Sequence, residues 1–157
     1  MRHGRTCAGM AVLGCLLSTP AGAQAVSCRG YPPSVMAQVK SRVEAVRLLE
    51  REAADRLRGL DTRVYSFLAG EVRKAADMIA GEKALKKDQE ELRRCRNWVQ
   101  PVRGICRGAA LALAAALDEE EAGKATKEFK QAYADAMPHC ERLIGLSPLS
   151  TAWRMPN

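Results

Sequence analysis

The sequence predicts an all-α fold: an up-down four-helix bundle with one long, bent second helix, stapled by disulfides. Three observations carry this reading. Alanine, leucine, arginine, lysine and glutamate, all strong helix formers, dominate the chain from residue 34 onward. Apolar residues recur at steps of three and four, the period of a helix with one buried face, and no stretch alternates as a strand would. Four cysteines remain once an export signal is set aside, an even number that reads as two disulfides in an oxidising compartment.

The signal is "MRHGRTCAGMAVLGCLLSTPAGAQA", residues 1–25. Arg2 and Arg5 give the positive start, residues 7–17 are apolar, and small residues precede a cut after Ala23 or Ala25. The apolar run falls short of the roughly 20 residues that cross a bilayer. A lipid-attachment reading of Cys15 in "VLGC" competes, but "LLSTPAGAQA" beyond it still has the form of a signal ending. Cleavage removes two of the 25 basic residues and no acid, leaving 23 against 18, a net charge of +5 on one domain's length of chain. That charge fixes no partner by itself. The expected division is residues 1–25 signal, 26–145 bundle, and 146–157 an irregular tail in which Trp153 either docks or waits for a partner.

The first helix opens at "YPPS", with Ser34 able to cap it, and carries Met36, Val39, Val43, Val46, Leu49, Ala53, Leu57 and Leu60 as one stripe, with Gly59 near its end. Asp61 is the expected cap of the second helix, whose stripe is Val64, Leu68, Val72, Ala75 and Ile79. Met78, Leu85, Leu92 and Val99 continue at sevens, so the spacing favours one helix from 61 to about 99, bent near Gly81, over two helices with a turn there. Pro101 and Gly104 are expected to end it. "GAALALAAAL", residues 108–117, is apolar all round and suits a buried third helix. The acids Asp118–Glu121 would oppose a helix dipole at a C-terminus and favour it at an N-terminus, so a boundary falls in 117–124, with Gly123 the other candidate. Phe129, Tyr133, Ala136, Cys140 and Leu143 line the last helix, kinked at Pro138.

If the chain reverses near residues 100–101, Cys95 and Cys106 face each other across a hairpin, and Cys28 with Cys140 ties the chain ends together. A zinc site is disfavoured, because the closest pair is eleven residues apart and no C-x-x-C occurs. The same absence argues against a redox-active pair.

Catalytic signatures are missing. His139 is the only histidine of the mature chain, and there is no G-x-S-x-G, P-loop or G-x-G-x-x-G. The carboxylates sit among arginines and lysines at helical spacing, as Glu52 does with Arg56. No cofactor, metal or catalytic residue is therefore expected. One constellation points elsewhere. Met36 on the first helix and His139 on the last occupy places that resemble the soluble periplasmic b-type cytochromes, where such a methionine and histidine ligate haem iron. The resemblance implies a haem-binding electron carrier. The cytochrome c-prime family is similar in architecture, but its C-x-x-C-H is not supplied by "MPHC".

Charge supplies the remaining signal. Residues 83–107 hold Lys83, Lys86, Lys87, Arg93, Arg94, Arg96, Arg103 and Arg107 against Asp88, Glu90 and Glu91. With Trp98, the residues Lys86, Lys87, Arg93, Arg94 and Arg96 form the expected contact surface for an acidic envelope protein or an anionic surface. Export makes nucleic acid an unsuitable partner. The expectation is an exported, periplasmic or secreted, non-catalytic helical interaction protein that does not span the membrane.

Overall fold

Five helices form among the described residues of the computed structural model: α1 (Pro33–Arg58), α2 (Tyr65–Ala80), α3 (Lys86–Arg94), α4 (Arg96–Glu121) and α5 (Lys127–Leu143). The structure describes residues 33–59, 61–81, 86–124, 127–151 and 154, and no strand occurs among them. The signal segment, Cys28, Leu60, Lys83, Leu85 and Trp153 lie outside the described residues, as do the side chains of Lys87 and Leu92. No helix among the described residues is long and apolar enough to cross a membrane.

The four longer helices alternate in direction. Tyr65 at the start of α2 reaches Ala53 late in α1, and Arg73 and Arg107 pair with Asp118 and Asp77 across α2 and α4. Cys106 joins Cys140, and Lys130 meets Glu120, across α4 and α5. Each pair runs antiparallel. Gln38 meets Arg103 across α1 and α4, which run parallel. α4 is the central helix and packs against α2, α5 and α1. The all-apolar run explains that position: Ala109, Ala110, Leu113, Ala114, Ala116 and Leu117 are all fully buried, and the alanines let neighbouring helices come close. Val35, Val39, Val43 and Val46 from α1, and Leu68, Val72 and Ile79 from α2, complete an aliphatic core.

The expected long second helix is not formed. α2 stops at Ala80, and Gly81 takes the left-handed conformation, φ +86°, with its N–H donated to the Met78 carbonyl at 3.1 Å. The heptad-like run of four apolar residues does not outweigh this cap. A second break follows at Cys95, a turn residue that caps α4. Pro101 ends nothing: it lies inside α4, early and exposed, where its missing N–H frees only the carbonyl of Asn97. Pro138 likewise lies within α5.

Gly81 is required for a further reason. A Cβ there would collide with Nη1 of Arg103, a side chain only 3% exposed whose Nη2 donates to Gln38 at 3.1 Å. Gly81→Ala should therefore cost about 2 to 3 kcal/mol, summing left-handed strain and a disturbed buried guanidinium. Urea denaturation checks this; a change below about 0.5 kcal/mol would contradict it.

The acids at 118–121 end α4, against its dipole, and Gly123 (φ +65°) follows. Their partners lie across space. Glu121 accepts the Ser66 backbone N–H, Asp118 pairs with Arg73, and Glu120 with Lys130 at 2.7 Å. The acid-to-N-terminus preference thus operates on α2, whose start lies beside the end of α4. The expected cap Asp61 is displaced from that role. α2 begins at Tyr65 after a turn closed by the Tyr65 N–H on Thr62, with no side-chain cap from its own N-cap residue, Val64.

Candidate functional site

Cys106 and Cys140 are joined, with Cα atoms 5.0 Å apart. This corrects both expected pairings. Cys95 and Cys106 lie at the start of and within one continuous helix, so about 16 Å of helical rise separates them, far beyond disulfide reach. Cys140 is taken by Cys106 and is not available to Cys28. Cys95 is buried and is also disulfide-bonded.

The basic segment divides into two environments. Lys86, Arg93 and Arg94 on α3 are exposed, and Glu90 accepts from Arg94 at 3.1 Å and pairs with Arg93 at 3.6 Å. Arg96 is exposed at the first position of α4, where a cation opposes the dipole. Trp98, in the same turn, is 53% exposed. Lys87 belongs to α3 by its backbone. Arg103 is turned into the fold, and Arg107 pairs with Asp77 at 3.5 Å. Arg103 and Arg107, which belong to the same basic run, thus stand apart from the exposed Lys86, Arg93, Arg94, Arg96 and Trp98 of the expected surface.

Met36 borders a cleft of about 10 Å³ whose other walls are Val35, Val39, Val99 and Val102. A haem-sized ligand requires a volume on the order of several hundred Å³. His139 is exposed on α5 and is not among the residues lining this cleft. Among the described residues, no group of three or more His, Cys, Asp or Glu side chains is placed to hold a metal ion.

A second constellation escaped sequence reasoning. Glu50 and Glu141 are both completely buried, each inside an apolar stripe: Val46–Glu50–Ala53 on α1 and Met137–Glu141–Ile144 on α5. Between them lies the guanidinium of Arg154, from the tail. Its Nε and Nη2 donate to the two Glu50 oxygens at 2.8 and 2.7 Å. Its Nη1 and Nη2 donate to the two Glu141 oxygens at 2.6 and 3.0 Å. Tyr133 donates its hydroxyl to Glu50 at 2.6 Å and presents its ring 5.4 Å from the guanidinium carbon. Thr151 also donates to Glu50, and Arg47 lies 3.4 Å from Glu141. Gly145 (φ +70°) turns the chain back for this docking, after which Arg47 donates to the Ser147 carbonyl at 3.3 Å.

Charge in the cluster balances, two carboxylates against two guanidiniums. Burial alone would lower the Arg154 pKa, but the hydrogen bonds that it donates to Glu50 and Glu141 outweigh it and hold the group protonated. Burial, and next the Glu50 charge, push the Tyr133 phenol well above its usual range, against the opposing pull of Arg154. It therefore stays a donor. With each carboxylate engaged by several donors, the cluster has the character of a structural clasp rather than a reaction centre.

A related phenol gives a pH prediction. Tyr65 is fully buried and donates to the Ala53 carbonyl at 2.9 Å. Burial, then the charges of Glu120 and Asp61, push it up to about 12. A raised folded-state pKa contributes stability that is whole below the unfolded value near 10 and is lost as pH rises towards 12. Urea midpoints from pH 9 to 12 should fall less steeply in Tyr65→Phe than in the wild type; parallel curves would refute the assignment. No protein-family model, curated protein or solved structure matches this chain.

Proposed function

We propose that this chain is an exported, non-catalytic binding protein of the cell envelope, whose disulfide-braced bundle presents one contact surface at the α3–α4 corner. The observation that carries this reading is Trp98, more than half exposed beside Arg96 and close in sequence to the exposed Arg93 and Arg94. Tryptophan and arginine are the residues that most often dominate binding energy in protein interfaces. An arginine at the first turn of α4 gains nothing from the helix dipole, which favours an explanation outside the fold. The partner we infer is an acidic surface on an envelope protein. If residues 1–25 are removed, Cys28 is the cysteine left to pair with Cys95, and it is the proposed partner.

The test is cross-linked capture from the native envelope by the mature chain, compared with Trp98→Ala and with Arg93, Arg94 and Arg96 reversed to glutamate. Each variant should lose at least about tenfold in capture of the same acidic partner, and wild-type capture should weaken as salt rises. Equal capture by all three chains would eliminate this surface. Salt-sensitive binding to anionic vesicles alone would reassign the corner to the membrane face.

A further inference from the structure

We propose that the cleft between α1 and α5 is a guanidinium-binding site, filled here by the chain's own Arg154, and that an arginine side chain supplied in trans takes the same place. The argument begins with shape. A carboxylate on each side presents both its oxygens to one planar group, and four of the five guanidinium N–H positions are engaged by those four oxygens. That double fork fits a guanidinium and not an ammonium, which offers its donors as a compact tetrahedral cluster. The walls are set by groups other than the ligand. Tyr133, itself fully buried, fixes Glu50, and Arg47 lies against Glu141, so the acids keep partners when the ligand leaves.

The occupant, by contrast, is a strap. Residues 146–151 form no helix. An open groove of about 500 Å³, bounded by Arg51, Ala54, Arg58 and Leu149–Thr151, runs along the strap's flank against α1. A segment without regular structure, open to solvent on one side, exchanges more readily than the helices that form the site. The site is therefore built into the bundle, and its ligand hangs on a tether. This inference does not depend on the α3–α4 surface, which involves other residues.

The experiment uses Arg154→Ala in the full mature chain, with thermal unfolding followed while N-acetylargininamide is titrated against N-acetyllysinamide at equal ionic strength. The arginine compound should raise the unfolding midpoint saturably by several degrees, as expected for a ligand that binds only the folded state. The lysine compound should leave it unchanged. The rise should vanish when Glu50→Gln and Glu141→Gln are added, and wild-type chain should respond only at higher concentrations of the arginine compound, because the titrant must displace the tethered Arg154. Equal responses to the two compounds, no response, or a response that survives the glutamine changes would each overturn the proposal. If Arg154→Ala folds under no condition, Arg154→Lys replaces it. There the arginine compound must still raise the midpoint and the lysine compound must not; any other result rejects the site.

Discussion

Arg154→Ala is expected to destabilise the bundle by about 3 to 5 kcal/mol, because it leaves two buried carboxylates without the cation that both grip. Glu50 and Glu141 are completely buried with Arg154 in place, and water entering the space that the guanidinium leaves supplies neither its charge nor its paired donors. Arg47 remains beside Glu141, and Tyr133 still donates to Glu50, which keeps the loss from being larger. Arg154→Lys should fall between, since an ammonium restores charge but not the double fork. Replacing Glu50, Glu141 and Arg154 together by apolar residues of similar volume should cost far less than the single change, because the penalty lies in the unpaired charge. Urea denaturation of the four chains gives these differences directly. A loss below about 1 kcal/mol for Arg154→Ala would mean that the tail does not dock in solution as it does here.

The second large effect belongs to the sulfurs. Cys106 and Cys140 are 34 residues apart, and the loop-entropy treatment assigns such a link about 3 to 4 kcal/mol. Both sulfurs are buried between α4 and α5, so a paired change to alanine adds a small packing loss. The double variant should unfold at a markedly lower urea concentration than the wild type, and reductant should lower the wild type by at least as much. Reductant would lower the wild type somewhat further than the double variant, since it also opens the disulfide at Cys95. Stability indifferent to reductant would contradict the assignment.

How much of this was legible in the sequence depends on whether the decisive contact was local. α1 spans Pro33–Arg58 where the stripe, the prolines and Gly59 place it, because each of those signals acts within a few residues. The buried face of α2 follows its three-and-four spacing, and the alanine-rich run became the central helix. The break at Gly81 was visible only as an alternative. The break is made by Gly81 in the left-handed conformation, and Arg103, 22 residues later in the chain, packs where a Cβ at that glycine would lie, a contact that no local pattern encodes. The acids at 118–121 were read by a sound rule applied to the wrong helix, since the N-terminus they serve is close in space and distant in sequence. The pairing of Cys106 failed with the assumed reversal at Pro101, a residue that α4 tolerates near its start.

The exposed members of the basic run were legible from charge and helical spacing. The charges and Trp98 were named, but the inward turn of Arg103 depends on the α2 terminus it packs against. The buried clasp left one trace in the sequence: an acid four residues after an apolar stripe position on each of two helices, Val46 to Glu50 and Met137 to Glu141. Two such acids require a cation, and an irregular tail bearing Arg154 did not present itself as its source.

The proposed function requires that the chain be exported, cleaved and oxidised. Peptide mapping by mass spectrometry of natively produced chain, digested without reductant, tests this most directly. It should find a new N-terminus at residue 24 or 26, a Cys106–Cys140 linked peptide, and Cys95 linked to Cys28. An intact Met1 with free thiols at Cys106 and Cys140 would contradict the account.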